Sequence, residues 1–79
     1  MRLDKYLKVS RIIKRRTVAN EACDAKHVSV NGKPARASYD VKVGDVIELP
    51  FGSNTSRFEV LSVTEHATKE SAALMFRQL

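Results

Sequence analysis

The side chains that most often do chemistry are few here, and their spacing gives them no partners. Cys23 is the one cysteine, and His27 and His66 are the two histidines. None stands at a spacing that would supply a nucleophile with a base or a metal with a ligand set. Cys23 sits among small apolar residues and reads as a buried small hydrophobe. Each histidine stands alone and reads as a surface or hydrogen-bonded imidazole. The acids Asp4, Asp24, Asp40 and Asp45 form no acid–base or metal-binding cluster. Gly32, Gly44 and Gly52 are too scattered for a phosphate-cradling loop. We therefore expect no catalytic residue, no metal and no cofactor.

The residues that do recur are cations, and the chemistry they offer is phosphate binding. Residues 1–42 hold eleven Lys/Arg against four Asp/Glu, and residues 43–79 hold three against five, so +7 and −2 make up the net +5. Within residues 1–16, seven cations face one acid, Asp4. A one-sided field of this kind points to a polyanion, either nucleic acid or an acidic membrane surface. Arginine can donate two hydrogen bonds to a phosphate from one planar fork, whereas lysine acts as a point charge. The candidate RNA contacts are Arg2, Lys5, Lys8, Arg11, Lys14, Arg15, Arg16 and Thr17, followed by Asn31, Lys33 and Arg36 around an Asn-Gly turn. Tyr6 and Tyr39 are the only aromatics in this half, too few for a reader built on base stacking. Recognition of a folded RNA's shape and backbone fits better.

The membrane reading is weaker. No apolar run approaches the roughly 18–20 residues of a span, and the basic helix lacks a Trp/Phe-rich apolar face. MRLDKYLKVSR has no apolar core and no small-residue cleavage site, so it does not read as a secretion signal. A lone cysteine agrees with a reducing compartment, and a cytosolic protein is expected.

These cations need elements to hold them. Leu3, Tyr6, Leu7, Ser10 and Ile13 form a helical stripe, with Lys5, Lys8, Arg11 and Arg15 projecting from other sides. Asp4 lies in the first turn, at the positive end of the helix. Thr17 is placed to cap a second helix, whose apolar residues Val18, Ala22 and Ala25 recur with Ala19 and Cys23 beside them. Val28-Ser29-Val30 alternates as a strand, Asn31-Gly32 suits a tight hairpin turn, and Ala35-Arg36-Ala37 offers a return. Gly44-Asp45 marks a turn before a strand ending near Leu49, and Pro50 with Gly52-Ser53-Asn54 breaks the chain. Arg57–Val63 alternates again. Thr68–Leu79 reads as a C-terminal helix capped by Thr68, with Ala72, Met75, Phe76 and Leu79 on one stripe. The expectation is α+β: two N-terminal helices packed on a small, mostly antiparallel sheet, plus a C-terminal helix. With 79 residues, we expect a single domain over 1–79.

Four motifs in this order resemble the alpha-L, or S-four-type, RNA-binding family: Arg2-Leu3-Asp4-Lys5-Tyr6-Leu7, Lys14-Arg15-Arg16-Thr17-Val18-Ala19, Val28-Ser29-Val30-Asn31-Gly32-Lys33 and Val41-Lys42-Val43-Gly44-Asp45. The resemblance covers residues 1–50, leaving 51–79 for the final strand or strands and the C-terminal helix. It implies RNA bound across the helices and the hairpin, with Arg2 and Arg16 at positions that carry RNA contacts in the family. The short free-standing form is most similar to the bacterial ribosome-associated quality control P group. That likeness implies binding to 50S subunits obstructed by peptidyl-tRNA and contact with large-subunit rRNA at the subunit interface. It also implies support for alanine tailing by an RqcH-type factor, with a monomer off the ribosome. The heat-shock protein fifteen group, which recycles blocked 50S subunits, is the alternative, although its longer basic C-terminal extension has no counterpart here. A protein-docking module using Leu61, Val63, Leu74 and Phe76 is a third reading. One departure stands out: the family usually has glycine just before the hairpin strand, where this chain reads Ala25-Lys26-His27.

Overall fold

The computed structural model describes residues 1–51 and 53–79. Helix α1 spans Leu3–Val9 and α2 spans Arg16–Asp24. Strands β1 (Ser29–Val30), β2 (Lys33–Pro34), β3 (Val46–Phe51) and β4 (Asn54–Val60) follow, then a one-turn helix α3 (Lys69–Ala72) and β5 (Phe76–Gln78). Among the described residues the strands form one five-stranded sheet in the order β2-β1-β3-β4-β5, with every pairing antiparallel. This is the expected α+β architecture.

The helix α1 forms because Leu3, Tyr6 and Leu7 share one face, and all three are fully buried. The Tyr6 hydroxyl donates to the Met75 carbonyl at 2.7 Å, which ties α1 to the C-terminal segment. α1 is shorter than its apolar stripe implies. It stops at Ser10, and Arg11 adopts a left-handed conformation with φ 64. The chain then doubles back so that the Ile13 amide donates to Leu7 at 3.1 Å. Ile12 and Ile13 still pack on the core, but from a loop rather than a helix. Neither glycine nor proline marks this break in the sequence.

The helix α2 presents Ala19 and Cys23 inward, one position off the expected Val18/Ala22/Ala25 stripe, and Val18 is 49% exposed. Small side chains let α1 and α2 approach closely, and a β-branched valine in their place would hold the helices apart. Arg15 occupies the N-cap position without a side-chain cap, so Thr17 lies inside the first turn and is not the cap. At the other end the His27 amide donates to the Ala22 carbonyl and the Lys26 amide to the Cys23 carbonyl, both at 2.9 Å. This is a Schellman ending. Lys26 takes up a left-handed position with φ 65. The cost of a side chain there is about 1 kcal/mol.

The Asn-Gly hairpin forms as the sequence implies, with Asn31 at φ 53 and Gly32 at φ 84. Its return strand is Lys33–Pro34, earlier than the expected Ala35-Arg36-Ala37, of which Ala35 adds one further bond to Val28. The strand β3 continues through Pro50, which pairs with Thr55, so Pro50 does not break it. At that point β1 no longer flanks β3, so the missing N–H faces no neighbouring strand. Gly52, part of the expected break, lies outside the described residues.

The C-terminal helix exists but lasts one turn. Thr68 caps it reciprocally with Ser71, as its position implies. The residues expected to prolong it become β5, which pairs Phe76, Arg77 and Gln78 with Val60, Glu59 and Phe58. Phe76 packs edge-on against Phe58, ring centroids 5.2 Å apart, and Met75 is buried. The open edge of β4 offers both backbone partners and an apolar surface, which a longer exposed helix would forgo. Leu61 and Leu74 remain exposed, Val63 and Phe76 are half-buried, and no described helix is long and apolar enough to cross a membrane.

Candidate nucleic-acid interface

The two helix starts meet at one carboxylate. Asp4, in the first turn of α1, is 2% exposed. Its Oδ1 accepts from Arg2 Nε at 3.1 Å and from the Lys5 amide at 2.8 Å. Its Oδ2 accepts from Arg16 Nε at 3.3 Å and from Asn20 Nδ2 at 3.2 Å. Burial raises the pKa of this carboxyl, but the hydrogen bonds from Asn20, Arg2, Arg16 and the Lys5 backbone outweigh it and hold the pKa below the ordinary carboxylate value. Asp4 therefore stays ionised at neutral pH and anchors both arginines. Each uses its Nε, and their side chains remain about half exposed, at 51% and 49%. Arg2, Asp4, Arg16, Thr17, Asn20 and Glu21 line an open cleft of about 450 Å³. The first turn of α2 opens onto it, carrying backbone N–H groups that the helix leaves unpaired.

A second cationic depression lies beyond the end of α1. Lys8, Arg11 and Lys14 line about 310 Å³ of open space, and the left-handed turn at Arg11 is what brings them round it. All three are exposed, as is Arg15. Among the described residues, Lys8, Arg11, Lys14, Arg15, Lys33 and Arg36 form no ion pair.

Besides Arg2 and Arg16, two further sequence candidates are engaged within the fold. Lys5 Nζ donates to Glu65 at 2.9 Å, and this ion pair brings the loop before α3 against α1. Asn31 donates to Asp45 at 3.1 Å and accepts from the Val46 amide at 3.0 Å, so both ends of its amide lock the hairpin turn to the Gly44-Asp45 turn. Lys33 and Arg36 are exposed on the hairpin side, with Arg36 near Lys26 and Asp24 in a separate depression. Sequence reasoning singled out neither Asp4 nor Asn20 as part of this site. A signal for Asn20 was present: Arg16 and Asn20 stand four apart and share one face of α2.

Neither Cys23 nor either histidine lines the cleft. Cys23 is buried, and its thiol is pushed up to about 11 by burial and the nearby Asp4 and Asp24 charges. Among the described residues, no group of three His, Cys, Asp or Glu could hold a metal ion.

The S4 domain family model matches residues 1–47, the stretch that carries both arginines, the cationic turn and the hairpin. The chain belongs to the S4-domain family. It is similar to the RQC P-site tRNA stabilizing factor of Streptococcus pneumoniae, with 53% identity over 76 residues that cover 96% of this chain and 86% of that protein. The protein of the same name from Bacillus subtilis is 49% identical over 76 residues, covering 96% of this chain and 88% of its own length. Among solved structures, the trimeric Heat Shock Protein 15 of Vibrio cholerae superposes on this S4-domain chain with a TM-score of 0.92 at 26% identity, covering 100% of this chain and 81% of that one.

Proposed function

We propose that this protein is a non-catalytic RNA-binding factor of bacterial ribosome-associated quality control. It binds 50S subunits obstructed by peptidyl-tRNA, touching large-subunit rRNA at the subunit interface and the tRNA itself, and it works in the cytoplasm. The observation that carries this reading is the pair of half-exposed arginines held on Asp4 in an open cleft lined also by Thr17, Asn20 and Glu21. That arrangement suits a phosphate backbone, which guanidinium groups contact without reading sequence. Support for the tRNA comes from relatives named RQC P-site tRNA stabilizing factor at 53% and 49% identity. In this reading Arg2, Arg16 and Thr17 bind RNA at the cleft, and Lys8, Arg11, Lys14 and Arg15 bind it beyond α1. Lys33 and Arg36 add contacts from the hairpin, while Lys5 and Asn31 contribute chiefly by position. The protein is a monomer off the ribosome and supports alanine tailing by an RqcH-type partner.

Sucrose-gradient sedimentation of a tagged copy tests this. Co-migration with 50S particles that carry peptidyl-tRNA, and less with vacant ones, is the expected result. A protein that stays at the top of the gradient with both would contradict it. The second reading, a 50S recycling factor like the heat-shock protein fifteen group, is favoured by the TM-score of 0.92. A reconstituted tailing reaction separates the two: the first predicts longer alanine tails on adding the protein, the second predicts tRNA release without tailing.

A further inference from the structure

A carboxylate at the floor of a polyanion site opposes the ligand, so Asp4 needs an explanation other than contact. Its four hydrogen bonds fill both oxygens: two from guanidinium Nε atoms, one from the Asn20 amide and one from the Lys5 backbone. An arginine held through Nε has its guanidinium plane fixed while its two terminal nitrogens, with four N–H groups, stay available. Arg2 arrives from the N-cap of α1 and Arg16 from the first residue of α2, so the same carboxylate sets both planes. Without it, two like charges converging on one cleft would repel and separate. With it, the trio carries a net charge of about +1 in a defined geometry.

We propose that Asp4 is a positioning residue that, with Asn20 filling its last acceptor site, holds Arg2 and Arg16 as one two-armed clamp for an RNA phosphodiester backbone. This rests on the reading that the cleft binds RNA. It adds that binding at this cleft depends on the buried negative charge between its two arginines, Glu21 being the other carboxylate on the lining. The two explanations differ in sign. Asp4→Asn raises the net charge by one, so a long-range field predicts equal or tighter RNA binding. Positioning predicts weaker binding, because neither guanidinium keeps its orientation.

The test is a fluorescence-anisotropy titration of the full chain with a labelled mixed-sequence RNA hairpin, repeated over a salt series, with melting temperature measured in parallel. Asp4→Asn should bind about tenfold more weakly while still folded at the assay temperature, and its salt slope should flatten by about one contact. Binding as tight as wild type, or tighter, overturns the proposal. Asn20→Ala keeps the proposal testable if Asp4→Asn does not fold. It should weaken binding by about two- to fivefold in the wild-type background and have no effect in Arg2→Ala/Arg16→Ala, because its influence passes through Asp4 to those two arginines. Equal effects in both backgrounds, or none in wild type, also overturn it. The underlying reading has its own check. If Arg2→Ala/Arg16→Ala binds like wild type, the cleft is not the RNA site; if that double variant is weak and Asp4→Asn is not, only the positioning role fails.

Discussion

In the strand-rich half of the molecule, Arg57 stands across the β3–β4 pair from Glu48, and Arg77 across the β4–β5 pair from Glu59, and each meets its own carboxylate. In the helical half, Arg2 and Arg16 share the one carboxylate of Asp4, and Lys8, Arg11, Lys14 and Arg15 have none among the described residues. The same residue type is therefore neutralised in one region and left in surplus in the other. Cross-strand register explains the first, since opposite charges directly across an antiparallel pair attract. No internal partner explains the second. A surplus that the fold does not neutralise is available to an external anion, and the difference between the halves predicts where such an anion binds.

The largest expected effect comes from salt. If about five phosphates are neutralised by the helical half, log K against log[salt] should fall with a slope of about −3.5 to −4.5. Lys69→Glu, in the other half, should leave that slope unchanged, whereas Arg2→Ala/Arg16→Ala should flatten it by about two contacts. A filter-binding series over ionic strength measures this, and a slope near zero in wild type would remove the electrostatic interface altogether.

Single arginines sharpen the comparison next. Arg16→Ala should cost about 1.5–3 kcal/mol of RNA affinity, the range for hydrogen bonds to charged groups. Arg77→Ala and Lys69→Ala remove the same charge and should cost almost nothing. Arg16→Lys keeps the charge but loses the fork, and should fall between. Association with 50S particles and melting temperature, measured for all four variants, separate contact from unfolding. Equal losses for Arg16→Ala and Arg77→Ala would mean that only the net field matters.

Acid should reach the shared carboxylate in a predictable direction. The Asp4 pKa is lowered in the folded protein from an ordinary value of 3.8. Its contribution to stability is therefore fully present above that value and is lost as pH falls through the lower folded value. Thermal melts of wild type and Asp4→Asn should differ near neutral pH and converge as the solution is acidified below about pH 4. A gap that stays constant down to strong acid would mean that the charge of Asp4 is not what stabilises the helix pair.

The smallest effect distinguishes a cation kept for a partner from one that merely occupies a backbone position. Lys26 holds φ 65 at the Schellman end of α2. Lys26→Gly should relieve that strain and raise stability by up to about 1 kcal/mol in a denaturant titration. RNA affinity should change by less than about twofold. A much larger loss of binding would add Lys26 to the interface.

Much of this was legible in local sequence. The Asn31-Gly32 turn, the Gly44-Asp45 turn, the α1 stripe of Leu3, Tyr6 and Leu7, and the Thr68 cap each follow from short-range sterics or periodicity, which neighbouring residues alone determine. The location of the cationic half is a matter of counting, and the matched S4 domain stretch, residues 1–47, contains it. Long-range geometry settled the remainder. The segment after α3 has an apolar pattern that a helix or a strand would satisfy, and the open edge of β4 decided for a strand. Ser10-Arg11 contains no residue that demands a turn, yet packing of Ile12 and Ile13 ends α1 there. Asp4 read locally as a favourable first-turn acid. Only the approach of α2, which brings Arg16 and Asn20 from twelve and sixteen residues away, makes it the shared anchor of the cleft. A sequence fixes the charge and local conformational preference of each residue; which charges share a partner depends on the relative placement of helices, and that is set by how Ala19 and Cys23 pack beneath α1.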